Sequence, residues 1–212
     1  MMGQVTKSKN ADLYKRILSI VAVVKRPITL RELVSLDDTI QKLNLSEDGE
    51  DLEQIVSQCG SFLTIRESIV YFVHQSAKDF LLAENMSQDQ ELLGSGIDEI
   101  HKIIFSRSLQ VMSIGLRRDS YSLRDPGITL NQVKQPNPNP LAAIRYSCLY
   151  WVDHLLECQT RIDTIRDLED NGLVYHFLRQ YFLYWLEALS LLESISEGVV
   201  IIQKLEDLQV RF

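Results

Sequence analysis

The sequence predicts a mainly α chain: a small head of helices with two short strands, followed by an α-helical domain. Three observations predict it. Between residues 46 and 84 the apolar period changes from helical to two and back to helical. Residues 97–113, 141–158 and 172–192 each carry apolar side chains at helical spacing. Residues 114–140 hold most of the prolines and show no clean period, so they read as a long connection.

Residues 11–24 form the first predicted helix. Leu13, Ile17, Val21 and Val24 line one side, and Leu18 and Ile20 widen the stripe. Lys25 and Arg26 suit the negative end of the helix dipole, and Pro27 stops the helix. Thr29 and Glu32 stand at capping-box spacing ahead of Leu33, Val34 and Leu36, which starts a short second helix. Residues 37–47 read as a polar connection. Leu52, Ile55, Val56 and Cys59 then recur at i, i+3, i+4, i+7, and Gly60 suits a left-handed C-cap. In residues 61–66 and 69–74 the period becomes two, with Glu67-Ser68 as the polar break of a short antiparallel hairpin that lacks an Asn-Gly signal. Ser76 and Asp79 stand at capping-box-like spacing before Phe80, Leu81 and Leu82. The order helix, helix, helix, strand, strand, helix is that of a winged helix, a three-helix bundle edged by a two-stranded antiparallel wing.

The expected organisation is a flexible amino terminus over 1–10, a winged-helix domain over 11–85 and a helical domain over 86–212 with a Pro-rich connection near 124–140. Within the last part, Arg124-Asp125-Pro126-Gly127 reads as a turn and residues 136–140 as a stiff extended segment. A strongly apolar helix follows over 141–158, then a short helix over 161–168. A long helix carries Phe177, Tyr181, Trp185, Leu189 and Leu192, and a final helix spans 199–208.

A formal net charge of -7 weighs against non-specific attraction to nucleic acid or anionic membranes. Three cysteines at irregular spacing point to reduced thiols in an intracellular protein, with Cys59, Cys148 and Cys158 on helix faces as small buried hydrophobes. No apolar run reaches the length of a membrane span, and no signal region opens the chain, so a cytoplasmic location is expected.

Four histidines are candidates for chemistry. His101, beside Lys102, and His176, among Tyr175, Phe177 and Leu178, read as structural. His154 lies at helical distance from Cys148 and Cys158, but a Cys-His nucleophile also needs an orienting acid and an oxyanion donor, which the sequence does not name. Zinc-type spacing is absent as well, so no metal site is expected. His74 differs: it ends a strand just before a helix amino terminus, where amides and the dipole favour an anion. The plainer reading is a histidine that caps the end of the wing. Arg117-Arg118 with Lys102 and Arg107 could be taken for a nucleic-acid patch. The third helix, Asp51-Leu52-Glu53-Gln54-Ile55, would however press carboxylates against phosphates, and no nucleic-acid partner is expected.

Several runs carry a family resemblance: Arg26-Pro27-Ile28-Thr29-Leu30, Cys59-Gly60-Ser61-Phe62-Leu63, Val70-Tyr71-Phe72-Val73-His74-Gln75-Ser76-Ala77-Lys78-Asp79-Phe80-Leu81, Arg145-Tyr146-Ser147-Cys148, Tyr150-Trp151-Val152-Asp153-His154-Leu155 and Trp185-Leu186-Glu187-Ala188-Leu189. From residue 11 onward the chain resembles the winged-helix and following helical region of fungal NACHT proteins, signalling NTPases of the STAND class similar to NOD-like receptors and heterokaryon-incompatibility proteins. The resemblance implies a regulatory module between a NACHT nucleotide-binding domain and carboxyl-terminal WD40 or ankyrin repeats, in cis or trans, with immune-like signalling and an oligomer in the activated state. It implies ADP or ATP held by the adjacent NACHT core, with His74 contacting the ADP phosphates from a rigid base of buried Phe72, Val73 and Phe80. No phosphate loop ending in Gly-Lys-Ser/Thr and no Walker B element occurs in the chain, so it is not expected to be an ATPase by itself, and it reads as a cut-out domain, a truncated gene product or a piece that works with another chain. The competing class is a stand-alone interaction or scaffold module that binds no nucleotide.

Overall fold

The first apolar stripe folds as α1 (Ala11–Val23), in which Ile17, Leu18, Ile20 and Val21 are buried. The computed structural model describes residues 11–42, 50–86, 96–124, 128–158 and 166–211; the expected flexible amino terminus lies outside these, as do most of the predicted 161–168 helix and the turn at 125–127. Two compact units emerge, Met1–Ile104 and Phe105–Phe212.

In the first unit, Pro27 ends the approach to β1 (Ile28–Thr29), and α2 (Leu30–Ser35) begins at once. The predicted capping box is present: the Glu32 N–H donates to Thr29 Oγ1 at 3.2 Å, and the Thr29 N–H donates to Glu32 Oε2 at 2.9 Å. The buried Glu32 carboxylate also accepts from both ends of the Arg26 guanidinium, at 2.6 and 3.0 Å. Residues 37–47 are not only a connection. Asp37 caps a helical turn, α3 (Asp38–Gln41), by accepting from the Thr39 and Ile40 N–H groups at 2.7 and 3.1 Å, and it pairs with Arg16; Ile40 is buried. One buried isoleucine among polar residues gave no period to read.

The helix α4 (Glu50–Ser57) buries Leu52 and Val56 and leads to the buried Cys59. Gly60 does not take the left-handed conformation expected of it. Its role is close approach, since an added Cβ would stand 2.8 Å from the Ser57 carbonyl oxygen. The hairpin forms as predicted: β2 (Leu63–Arg66) pairs antiparallel with β3 (Ile69–Phe72), with Thr64 opposite Tyr71 and Arg66 opposite Ile69. Glu67 and Ser68 both adopt positive φ, 51° and 59°, which is what a two-residue turn matched to strand twist demands even without Asn-Gly. The expected two-stranded wing is a three-stranded sheet. β1 joins it with Ile28 opposite Val70, in the order β1-β3-β2, and two residues are too few to display a period. α5 (Gln75–Met86) follows, and the fold is a winged helix.

The division between the units falls within α6 (Ile97–Gly115). The second unit continues through a 3-10 turn (Leu130–Gln132), α7 (Arg145–Glu157), α8 (Leu173–Leu191) and α9 (Ile195–Arg211), with α7 against both α8 and α9. α7 starts later than predicted because residues 140–144 form a turn, in which Asn139 Oδ1 accepts from the Leu141 N–H at 2.9 Å. Trp151 centres this core. It meets Trp185 and Phe177 edge-on at 6.2 and 5.6 Å and stacks on Phe105 at 6.4 Å. The Trp185 indole N–H donates to the Cys148 carbonyl at 3.0 Å, so this large ring is buried without an orphaned donor.

Candidate functional site around His74

The ladder of β3 runs one residue past the strand: the Val73 N–H donates to the Phe62 carbonyl at 2.8 Å. The chain then leaves the sheet, and His74 stands exposed immediately before α5. Its carbonyl accepts from the Ala77 N–H at 3.0 Å, the first bond of the helix. Its Nδ1 accepts from the Ser76 N–H at 3.2 Å and lies 2.8 Å from Ser76 Oγ. The imidazole therefore does what an Asn or Asp side chain does at an N-cap. Ser76 was expected to cap this helix. It lies inside the first turn instead, and Asp79 accepts from the Gln75 side chain at 3.0 Å. The cap fixes the tautomer. With Nδ1 accepting a backbone N–H, the ring proton of neutral His74 resides on Nε2, a donor that no described residue takes.

The expected buried base beneath the ring is absent. Val73 is 55% exposed, Phe80 is 45% exposed, and Phe72 is half-buried. Val70 and Leu81, both fully buried, anchor β3 and α5 instead. The reason is helical phase. Adjacent residues of a helix point about 100° apart, so Phe80 and Leu81 cannot both face one core. Val73, His74 and Phe80 are therefore all exposed, and the His74 Nε2–H is a donor oriented by the cap. Sequence reasoning found His74 but missed its two neighbours as surface residues, and the phase of Leu81 was the available signal.

The other candidates separate. His154 is sealed in the core, with Nε2 2.7 Å from the Tyr146 hydroxyl, and Cys158 Sγ donates to the His154 carbonyl. Burial pushes the Cys148 thiol up to about 12, which keeps it protonated and poorly nucleophilic. His101 is buried, as a structural residue would be, whereas His176 is exposed with its ring edge-on to Tyr175, outside the core. Arg107 is buried and donates to Gln110 at 2.7 Å, so it cannot share a surface patch with exposed Arg117 and Arg118. Among the described residues no group of His, Cys, Asp and Glu is placed to hold a metal ion, and no helix is long and apolar enough to cross a membrane.

Residues 1–92 match the family model described as GPI inositol-deacylase, winged helix domain. Vegetative incompatibility protein HET-E-1 of Podospora anserina is 48% identical over 219 residues, which take in 98% of this chain. The chain is a relative of the fungal NACHT incompatibility proteins. Its winged helix is thus a NACHT-associated module, and the relatedness extends through the helical unit. The chain spans 16% of the length of HET-E-1. No solved structure matches it significantly.

Proposed function

We propose that this chain is the non-catalytic regulatory module of a NACHT-type signalling NTPase. It relays the nucleotide state of an adjacent NACHT core to the repeats that follow. The observation that carries the reading is exposed His74, whose Nε2–H is oriented by its own cap, together with exposed Val73 and Phe80. Two large apolar side chains left in water favour coverage by a neighbouring domain. The His74 donor suits a phosphate oxygen at the edge of that contact. With ADP bound in the core, His74 and the apolar pair hold the closed arrangement, and loss of the contact releases it.

A hydrogen bond to a charged group contributes about 1.5–3 kcal/mol, or roughly ten- to a hundred-fold in affinity. In a protein that includes the NACHT core, His74→Leu should speed ADP release by about that factor. His74→Ser keeps a capping oxygen but is too short to reach the phosphate, so it should release ADP as fast as His74→Leu. If both variants release ADP at the wild-type rate, the proposal fails. Fast release by His74→Leu with wild-type release by His74→Ser would make His74 a helix cap only.

A further inference from the structure

β2 is an edge strand: β3 pairs with it on one side, and in the order β1-β3-β2 no strand among the described residues pairs with its other side. The Val73 to Phe62 bond and the two-residue turn fix the phase of the ladder, so Thr64, Arg66 and the Phe62 carbonyl turn toward β3, while the Phe62 N–H donates to the Cys59 carbonyl at 2.7 Å. Leu63 and Ile65 turn theirs outward. The Leu63 N–H is taken by the Cys59 carbonyl at 3.1 Å, but the N–H and carbonyl of Ile65 have no partner among the described residues. Beside this edge lies a groove of about 540 Å³ between β2 and α4. Half-buried Ile65 and exposed Val73 supply apolar surface over the buried Val56 and Leu63, Glu53 and Glu67 supply two carboxylates, and no lysine or arginine among the described residues lines it.

We infer that the β2 edge and this groove bind an extended peptide segment of a partner protein, rich in alternating apolar and basic residues, as an added strand. Main-chain bonds to Ile65 provide the register, the apolar side chains enter the groove, and lysines or arginines meet Glu53 and Glu67. A second copy of the chain fits less well, because edge-to-edge pairing would bring the same carboxylates of both copies together. This groove shares Val73 with the His74 surface, but peptide binding here uses the Ile65 backbone and the two carboxylates and requires no nucleotide.

The test uses the 212-residue chain and a fluorescein-labelled peptide of alternating Lys and Val, about eight residues long, an ordinary strand length. Its anisotropy is compared with that of the matching Glu and Val peptide. The Lys/Val peptide should bind saturably and more weakly as salt is raised, and the Glu/Val peptide should not bind. Ile65→Pro removes only an outward N–H and leaves the bonds to β3 in place, so it should weaken binding about ten-fold, whereas Ile65→Val should leave it unchanged. Should Ile65→Pro lose its circular dichroism signal, the paired change Glu53→Lys with Glu67→Lys decides, and it should abolish binding of the Lys/Val peptide. Equal binding of the two peptides overturns the inference. So does undiminished binding by the charge-reversed variant, or failure of the Lys/Val peptide to bind.

Discussion

Cys59 and Cys148 are 1% and 0% exposed, and burial pushes both thiols up to about 12 from an ordinary 9.0. Each neutral thiol then stabilises the fold fully below pH 9, and that contribution is lost as pH rises from 9 toward 12. Denaturant titrations should give a stability that the thiols leave flat near neutrality and that falls above pH 9 by at most about 1.4 kcal/mol per pH unit per thiol. Thiol reagents at pH 8 should label these two positions only on unfolding; fast labelling of the folded chain would contradict their burial. The burial of the cysteines was legible in the sequence, because a helix face defined by several apolar neighbours also places a cysteine among them. The position of His74 was legible for a similar reason, since a change of period marks where a strand ends and a helix begins. What capped that helix was not. Ser76 has the usual chemistry for an N-cap, but the cap position goes to the residue whose backbone leaves the strand, and here that residue is a histidine.

At the scale of single elements, the wing turns on two residues that pay no heed to the usual preference. Glu67 and Ser68 occupy left-handed backbone with side chains that disfavour it, at about 1 kcal/mol or more per residue. The turn is held from outside as well: the Leu30 N–H donates to the Ser68 carbonyl at 2.9 Å, tying the hairpin to the start of α2. Replacing Glu67→Asn together with Ser68→Gly keeps that carbonyl and relieves the backbone, while the added freedom of glycine in the unfolded chain offsets part of the gain. The pair should raise stability by about 0.5–1 kcal/mol, read as a higher urea midpoint at unchanged slope. Ser68→Val should lower it, and the opposite order would mean that the turn stores no strain. The capping box at Thr29 and Glu32 could be read directly because both partners lie within four positions of sequence. β1 and α3 could not. Each is too short for a period, and each is defined by what it meets: β1 by the backbone of β3, α3 by the carboxylate of Asp37.

For the whole molecule, charge decides between partners that the fold alone would allow. Long helical stripes made the second half legible, and Trp151 and Trp185 sit where their spacing put them, in the core. The carboxylate of Glu187, which accepts from the Asp119 and Ser120 N–H groups at 3.1 and 2.9 Å, was beyond reach of any period, because a polar contact between distant segments leaves no local pattern. A winged helix is often a DNA reader, with its third helix in the major groove, and α4 holds that place in the chain. Yet α4 exposes Asp51, Gln54 and Ser57 with Glu53 half-buried beside them, and the chain as a whole carries 29 acidic against 22 basic residues. Duplex binding draws its affinity from cations that displace condensed counterions, and the acidic face offers none. A labelled random duplex should therefore show no salt-sensitive anisotropy change with the purified chain, even at low ionic strength. Asp51→Lys with Glu53→Lys should produce weak binding that fades as salt is raised, since the shape of the helix is kept and only its field is inverted. Tight, salt-sensitive binding by the unaltered chain would show that some other face supplies the cations and would return DNA recognition to consideration.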